Sequence, residues 1–163
     1  MLKTTLRRAY RMLEDITPLH TDCGELCKGA CCKGGDEDGM WLFPGEKELL
    51  ESMNADFTYP NGEANIVVCK GSCDRKLRPL SCRIFPLFPV VRAWSRTGNP
   101  KADAVFDIRA LRVCPLAKDD SESIDTAFRH RVRAAAKMLC RDREMREFLE
   151  ERSEELAEMA KLI

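Results

Sequence analysis

The sequence has little that marks a target or a catalytic class. Its 27 Lys and Arg balance 27 Asp and Glu, a formal net charge of zero. A chain-wide attraction to nucleic acid or anionic lipid is therefore not expected. No uncharged apolar run approaches the roughly 18 residues of a membrane span, so no membrane is expected as a partner. The start, Met1-Leu2-Lys3-Thr4-Thr5-Leu6-Arg7-Arg8, has no apolar h-region and does not read as a secretory signal, so the expected compartment is the cytoplasm. Histidine occurs only twice. There is no phosphate loop, dinucleotide fingerprint, nucleophile elbow or His-Glu-x-x-His, so the residues leave open whether the chain is an enzyme and name no catalytic residue.

What is present is a globular composition, 44 % hydrophobic and 33 % charged, in 163 residues, a length that suits one domain. Apolar residues at Leu2, Leu6, Ala9, Leu13 and Ile16 have helical spacing, with Thr17-Pro18 as the stop. Residues 20–40 are irregular and glycine-punctuated, and Asp36-Glu37-Asp38 reads as a solvated turn. Pro44-Gly45-Glu46 opens a short helix to about Met53, with Glu46 suited to its positive end. Ile66-Val67-Val68 is β-prone. Prolines at 79, 86 and 89 exclude a continuous helix or a central strand there. Val90–Trp94 and Ala104–Val113 read as a hairpin, with Phe106, Ile108 and Ala110 on one face of its second strand. From 123 to 163 there is no Gly or Pro. Ile124, Phe128, Ala135 and Met138 stripe one helix, and Met145, Leu149, Leu156 and Met159 stripe another, with Asp142 as the N-cap between them. The expectation is one α+β domain over 1–163. Its Cys-rich core at 20–118 holds a loop-built centre and a small antiparallel sheet or hairpin. An N-terminal helix precedes the core, and a helical extension at 121–163 packs on it.

Nine cysteines are the informative feature. In a reducing compartment they would not persist as disulfides, and an odd number would not complete a disulfide framework. Cys23, Cys27, Cys31 and Cys32 form a C-x3-C-x3-C-C cluster. Cys69 and Cys73 form a pair, followed by Cys82 and, much later, by Cys114. Thiolate is a soft donor that selects zinc, copper(I) or iron–sulfur clusters, and closely spaced pairs close their loop at small entropic cost. The adjacent Cys31 and Cys32 point apart, so they serve different centres, or one stands beside the metal as a hydrogen-bonded neighbour. The spacing is neither that of a common zinc finger nor that of a ferredoxin. The expected ligands are Cys23, Cys27, Cys31, Cys32, Cys69, Cys73, Cys82 and Cys114. The expected metal is zinc, with iron or a four-iron, four-sulfur cluster as the alternative.

The stretch from Cys23 to Cys32, the Pro44-Gly45-Glu46 helix start, the Cys69/Cys73 pair, Arg78-Pro79-Leu80-Ser81-Cys82-Arg83-Ile84-Phe85-Pro86 and the late Cys114 resemble the CxxCxxCC family. These are bacterial and archaeal proteins described as zinc- or iron-chelating domains with eight characteristic cysteines. The resemblance covers roughly residues 20–118 and implies a metal-chelating role. The first cluster is wider than the family's name.

Other residues have two readings each. Arg78 and Arg83 flank Cys82 and suit either thiolate hydrogen bonding or ion pairs, for instance with Glu46. Segment 69–114 carries a basic excess that suits RNA or an acidic partner, or balances acidic residues across the fold. With Trp94 the one nearby aromatic suited to stacking, nucleic acid is disfavoured. A protein partner is left unidentified. His20 reads as a helix-end residue rather than a ligand, His130 as a solvated one, and Cys140 as a core residue.

Overall fold

The computed structural model describes residues 2–33, 39–60, 65–94, 98–118 and 123–163, with side chains at 92–94 left aside. The acidic turn expected at Asp36–Asp38 and residues 95–97 of the hairpin connection fall outside them. The fold is α+β, as the sequence implies. In chain order the elements are α1 (Leu2–Met12), α2 (Cys23–Cys27), β1 (Met40–Trp41), α3 (Glu46–Ser52), β2 (Ile66–Val67), α4 (Leu80–Ile84), β3 (Leu87–Trp94), β4 (Pro100–Phe106), α5 (Ala110–Val113), α6 (Pro115–Lys118), α7 (Thr126–Leu139) and α8 (Arg143–Ala160). Among the described residues no helix is long and apolar enough to cross a membrane.

Helix α1 buries Leu6, Ala9 and Tyr10 but stops at Met12, a turn earlier than its apolar spacing predicts. Pro18 explains this. Having no N–H, it cannot donate to the Glu14 carbonyl. Arg75 supplies the missing donors from elsewhere, Nε to the Glu14 carbonyl at 3.2 Å and Nη2 to that of Ile16 at 3.0 Å.

The two sheets are both antiparallel pairs. β1 and β2 pair Met40 with Val67 and Trp41 with Ile66. β3 and β4 form a hairpin from Leu87–Phe106 to Trp94–Pro100. The sequence reading shifted both strands. β3 starts at Leu87 and includes Pro89, which a two-stranded pair tolerates because each strand has a free edge. β4 ends at Phe106, so Ile108 and Ala110 are not strand residues. The buried Asp107 ends the strand: its carboxylate accepts from Arg109 N at 2.9 Å and from the Arg109 guanidinium at 2.5 Å. That turn leads into α5, where Ala110 is fully buried.

The gly-free C-terminal stretch forms two helices. Asp142 caps α8 as expected, its carboxylate accepting from Glu144 N, and Asp125 caps α7 in the same way through Ala127 N. Helix α7 lies on β4 and α1, and α8 lies on β3. One core runs through all of them, with Leu6, Phe43, Leu80, Phe88, Phe128, Leu139 and Leu149 among its buried members.

Candidate metal centre

Two loop segments and one helix end carry the cysteines outside the core. In the first, Asp22 caps α2 by accepting from Gly24 N at 2.9 Å. Cys23 and Cys27 are four residues apart on this single helical turn, so they share one face. That accounts for the C-x3-C spacing. Lys28 and Gly29 then take left-handed conformations, φ 54° and 65°, and turn the chain into a 3-10 turn, Ala30–Cys32. Glycine at 29 meets the need for positive φ without a Cβ penalty.

In the second segment, Gly71 (φ 101°) bends the loop between Cys69 and Cys73. Asp74 then caps a 3-10 turn, Arg75–Leu77, by accepting from Lys76 N at 2.9 Å. Cys82 follows on α4, and each of its surroundings is fastened. The fully buried Glu46 accepts from Leu80 N at 2.6 Å, from Tyr10 OH at 2.6 Å and from Phe43 N at 2.8 Å. Ser81 Oγ donates to the Trp41 carbonyl. Arg83 donates to the carbonyls of Arg78, Arg75 and Lys76 at 2.8, 3.0 and 2.9 Å, and its guanidinium lies 4.4 Å from the centre of the Tyr10 ring. Arg83 thus clamps the Cys73–Cys82 loop through backbone carbonyls, and its charge also acts on Glu46. Arg78 lies by Cys73, and its charge pulls that thiol down against the rise from burial.

The third contribution is Cys114, buried after α5 against Phe85 and Ala110. Its carbonyl accepts from Ala117 N at 3.1 Å, and the nearby Leu116 and Ala117 amides pull its thiol down against the rise from burial.

All eight cysteines expected as ligands line one cavity of about 910 Å³. All are free thiols. Burial pushes Cys23, Cys73, Cys82 and Cys114 up, and neighbouring thiols add to the rise. Cys32 is pushed up by its hydrogen bond with Cys31 and by burial, and the same bond pulls Cys31 down. Crowded thiols of this kind are what a cation resolves, because it converts mutual repulsion of thiolates into shared attraction. Among the described residues no group of three or more His, Cys, Asp or Glu side chains is gathered into a ready ion site. The donor set fits a thiophilic metal in its chemistry and in its common cavity, while ion binding requires the thiols to draw together.

The remaining residues separate cleanly. His20 is exposed beside Asp125, with Nδ1 at 3.4 Å from its carboxylate, and is not part of the cavity wall. His20→Ala is expected to change stability by no more than about 0.5 kcal/mol and to leave metal content intact, as checked by thermal melts with metal analysis. His130 is exposed on α7. Cys140 is fully buried in the main core, and burial pushes its thiol up to about 11. Cys140→Ser is expected to cost about 1–3 kcal/mol by burying a hydroxyl, with bound metal unchanged. Metal loss in this variant would overturn the division between cavity and core cysteines. Much of the basic excess in 69–114 is used internally, by Arg75, Arg78, Arg83 and Arg109 as described and by Lys70 with Asp56 at 2.5 Å. The Trp94 side chain falls outside the described residues. The role of Glu46 escaped the sequence reading, which gave it a helix-dipole role.

Compared with protein families, curated proteins and solved structures, the chain matches none of them.

Proposed function

We propose that this protein is a metal-binding protein whose cysteines hold zinc or iron. One observation carries the reading: eight cysteines spread over residues 23–114 line a single cavity, and the ninth is sequestered in the core. Buried apolar thiols would have no reason to be divided in this way. The likeness of the cysteine order and of the Arg78–Pro86 block to the CxxCxxCC family supports the same reading. Zinc, held for structure or for delivery, is the first choice for aerobically purified protein.

A second reading has its own support. Eight thiols exceed the four that one tetrahedral zinc takes, and one iron–sulfur cluster with spare ligands, hence a redox or catalytic component, uses them too.

Elemental analysis and a visible spectrum of anaerobically purified protein test both. Stoichiometric zinc in colourless protein supports the first reading. Iron with a broad sulfur-to-iron absorption supports the second. Protein without stoichiometric metal under these conditions overturns both.

A further inference from the structure

We propose that α1 and α7 together form a docking face for double-stranded nucleic acid, which they hold by its phosphates without regard to base sequence. The proposal is independent of the metal reading, since no cavity cysteine takes part in it. A formal net charge of zero hides this face. Helix α1 carries Lys3, Arg7, Arg8 and Arg11, α7 carries Arg129, Arg131, Arg133 and Lys137, and neither helix contains an acid. The balancing acids lie elsewhere, and Glu far outnumbers Arg in α8. The sequence reading weighed the net charge and the basic segment 69–114, and neither isolates these two helices.

Packing turns the cations outward. Helix α1 buries Leu6, Ala9 and Tyr10 and leaves its four cations exposed. Lys3, Arg7 and Arg11 recur every four residues, so they form one row with a step of about 6 Å along the helix axis. Helix α7 packs against α1 and exposes Arg131 and Lys137, with Arg141 exposed just beyond its end. Arg131 joins the two rows: its Nη1 donates at 3.1 Å to the carbonyl of Met12, the last residue of α1. Asp103 is taken by Arg133 at the other edge of α7. Among the described residues no carboxylate lies within ion-pair distance of the exposed cations, not even Glu14 or Asp15 just after α1.

Like charges crowded on one face repel, and a polyanion relieves them. A nucleic-acid duplex carries about one negative charge per 1.7 Å of axis, and each phosphate met by Lys or Arg releases condensed counterions. Such contacts need cations and close approach, not base recognition. Thr4, Ala127 and Ala134 are exposed between the cations and are small enough to let a backbone come near. Other occupants fit less well. A protein interface wants an apolar centre, yet the large exposed apolar side chains, such as Leu26, Leu162 and Ile163, lie off both helices. The same lack removes the apolar anchor of a helix lying in a lipid surface. Tyr10 and Phe128 are buried, so a single strand finds no stacking platform. A second copy would bring α8, whose acids are already partly matched by Arg143, Arg152 and Lys161.

The test is fluorescence anisotropy of the full chain, as purified, with short labelled duplexes of unrelated sequence. They are expected to bind alike. The logarithm of the binding constant should fall with that of the salt concentration at a slope of roughly −4 to −6, the mark of about five to seven neutralised phosphates. Arg7→Glu with Arg11→Glu should weaken binding at least about tenfold and flatten the slope by about two, and Lys137→Glu with Arg141→Glu should do the same from α7. Arg7→Lys with Arg11→Lys should bind as wild type does, and so should Lys118→Glu on α6. Bound metal and melting temperature, read on every variant, should not fall, so failure here leaves the metal reading standing. No duplex binding at about 50 mM salt, or charge-reversed variants that bind as tightly as wild type, overturns the proposal. Tighter binding to phosphatidylserine vesicles, to polyglutamate or to a second copy than to duplex overturns it as well.

Discussion

Cys82→Ser is expected to strip the protein of metal and of most of its thermal stability. Ligation in a small thiolate site is folding free energy, with apparent values of roughly 10–16 kcal/mol for structural zinc in small peptides. Whole-domain stability is commonly about 5–15 kcal/mol, so one ligand is enough to decide whether the fold holds. Cys82 is also firmly placed, since Leu80, Ser81 and Arg83 around it each hydrogen-bond elsewhere in the chain. A hydroxyl in its place binds zinc or iron poorly and leaves its partner thiolates with their charge unbalanced. Melts recorded with and without a chelator separate the two contributions. The metal-loaded wild type should melt far above the variant, and the two should converge once metal is removed. A Cys82→Ser protein with wild-type metal content and melting temperature would remove Cys82 from the ligand set.

The second large effect is expected without any metal. Glu46→Ala leaves the Tyr10 hydroxyl and the Leu80 and Phe43 amides without their acceptor in a fully buried site. Each orphaned donor costs about 1–3 kcal/mol, and a buried network broken at its centre loses about 3–5 kcal/mol in total. In a domain of this size that lowers the melting temperature by roughly 6–20 °C. Glu46→Gln should cost less: one oxygen still accepts from Tyr10 and Leu80, while the new amide nitrogen faces the Phe43 N–H. The two variants also differ from wild type in pH dependence. Burial raises the Glu46 carboxyl above its ordinary 4.5, against the opposing pull of Tyr10, Leu80, Phe43 and Arg83. A carboxyl raised on folding binds its proton more tightly in the native state. Its contribution is therefore full below the ordinary value and is lost as pH rises through the raised one. Denaturant titrations from acid to neutral pH should show that slope in wild type and a flatter one in Glu46→Gln. An identical slope in both would mean that Glu46 is not the group responsible.

These two residues show what a sequence reveals and what it hides. Cys82 announces itself, because sulfur chemistry is legible one residue at a time and the spacing of the other cysteines gives it company. The C-terminal helices are legible for a different reason: a long apolar period with no Gly or Pro has few alternative structures. Glu46 is hidden because its meaning lies in residues 36 and 34 positions away, Tyr10 and Leu80. The end of β4 is hidden by mimicry. Phe106, Ile108 and Ala110 alternate as a strand would, and only the burial of Asp107 with Arg109 shows that the chain turns between them. The common cavity of the thiols belongs to the same class, since it depends on where α5 brings Cys114 relative to the Ala30–Cys32 turn.

The isolation of Cys140 turns the chain into its own unfolding gauge. A water-borne alkylating reagent meets the cavity thiols by local motion, but it reaches a sulfur with no exposed surface only when the helices part. If reclosing outpaces the reagent, the labelling rate of this one residue reports the equilibrium between closed and open chains. Mass spectrometry of the Cys140 peptide then reads global stability in dilute buffer, without denaturant, while the same digest reports the accessibility of the cavity thiols.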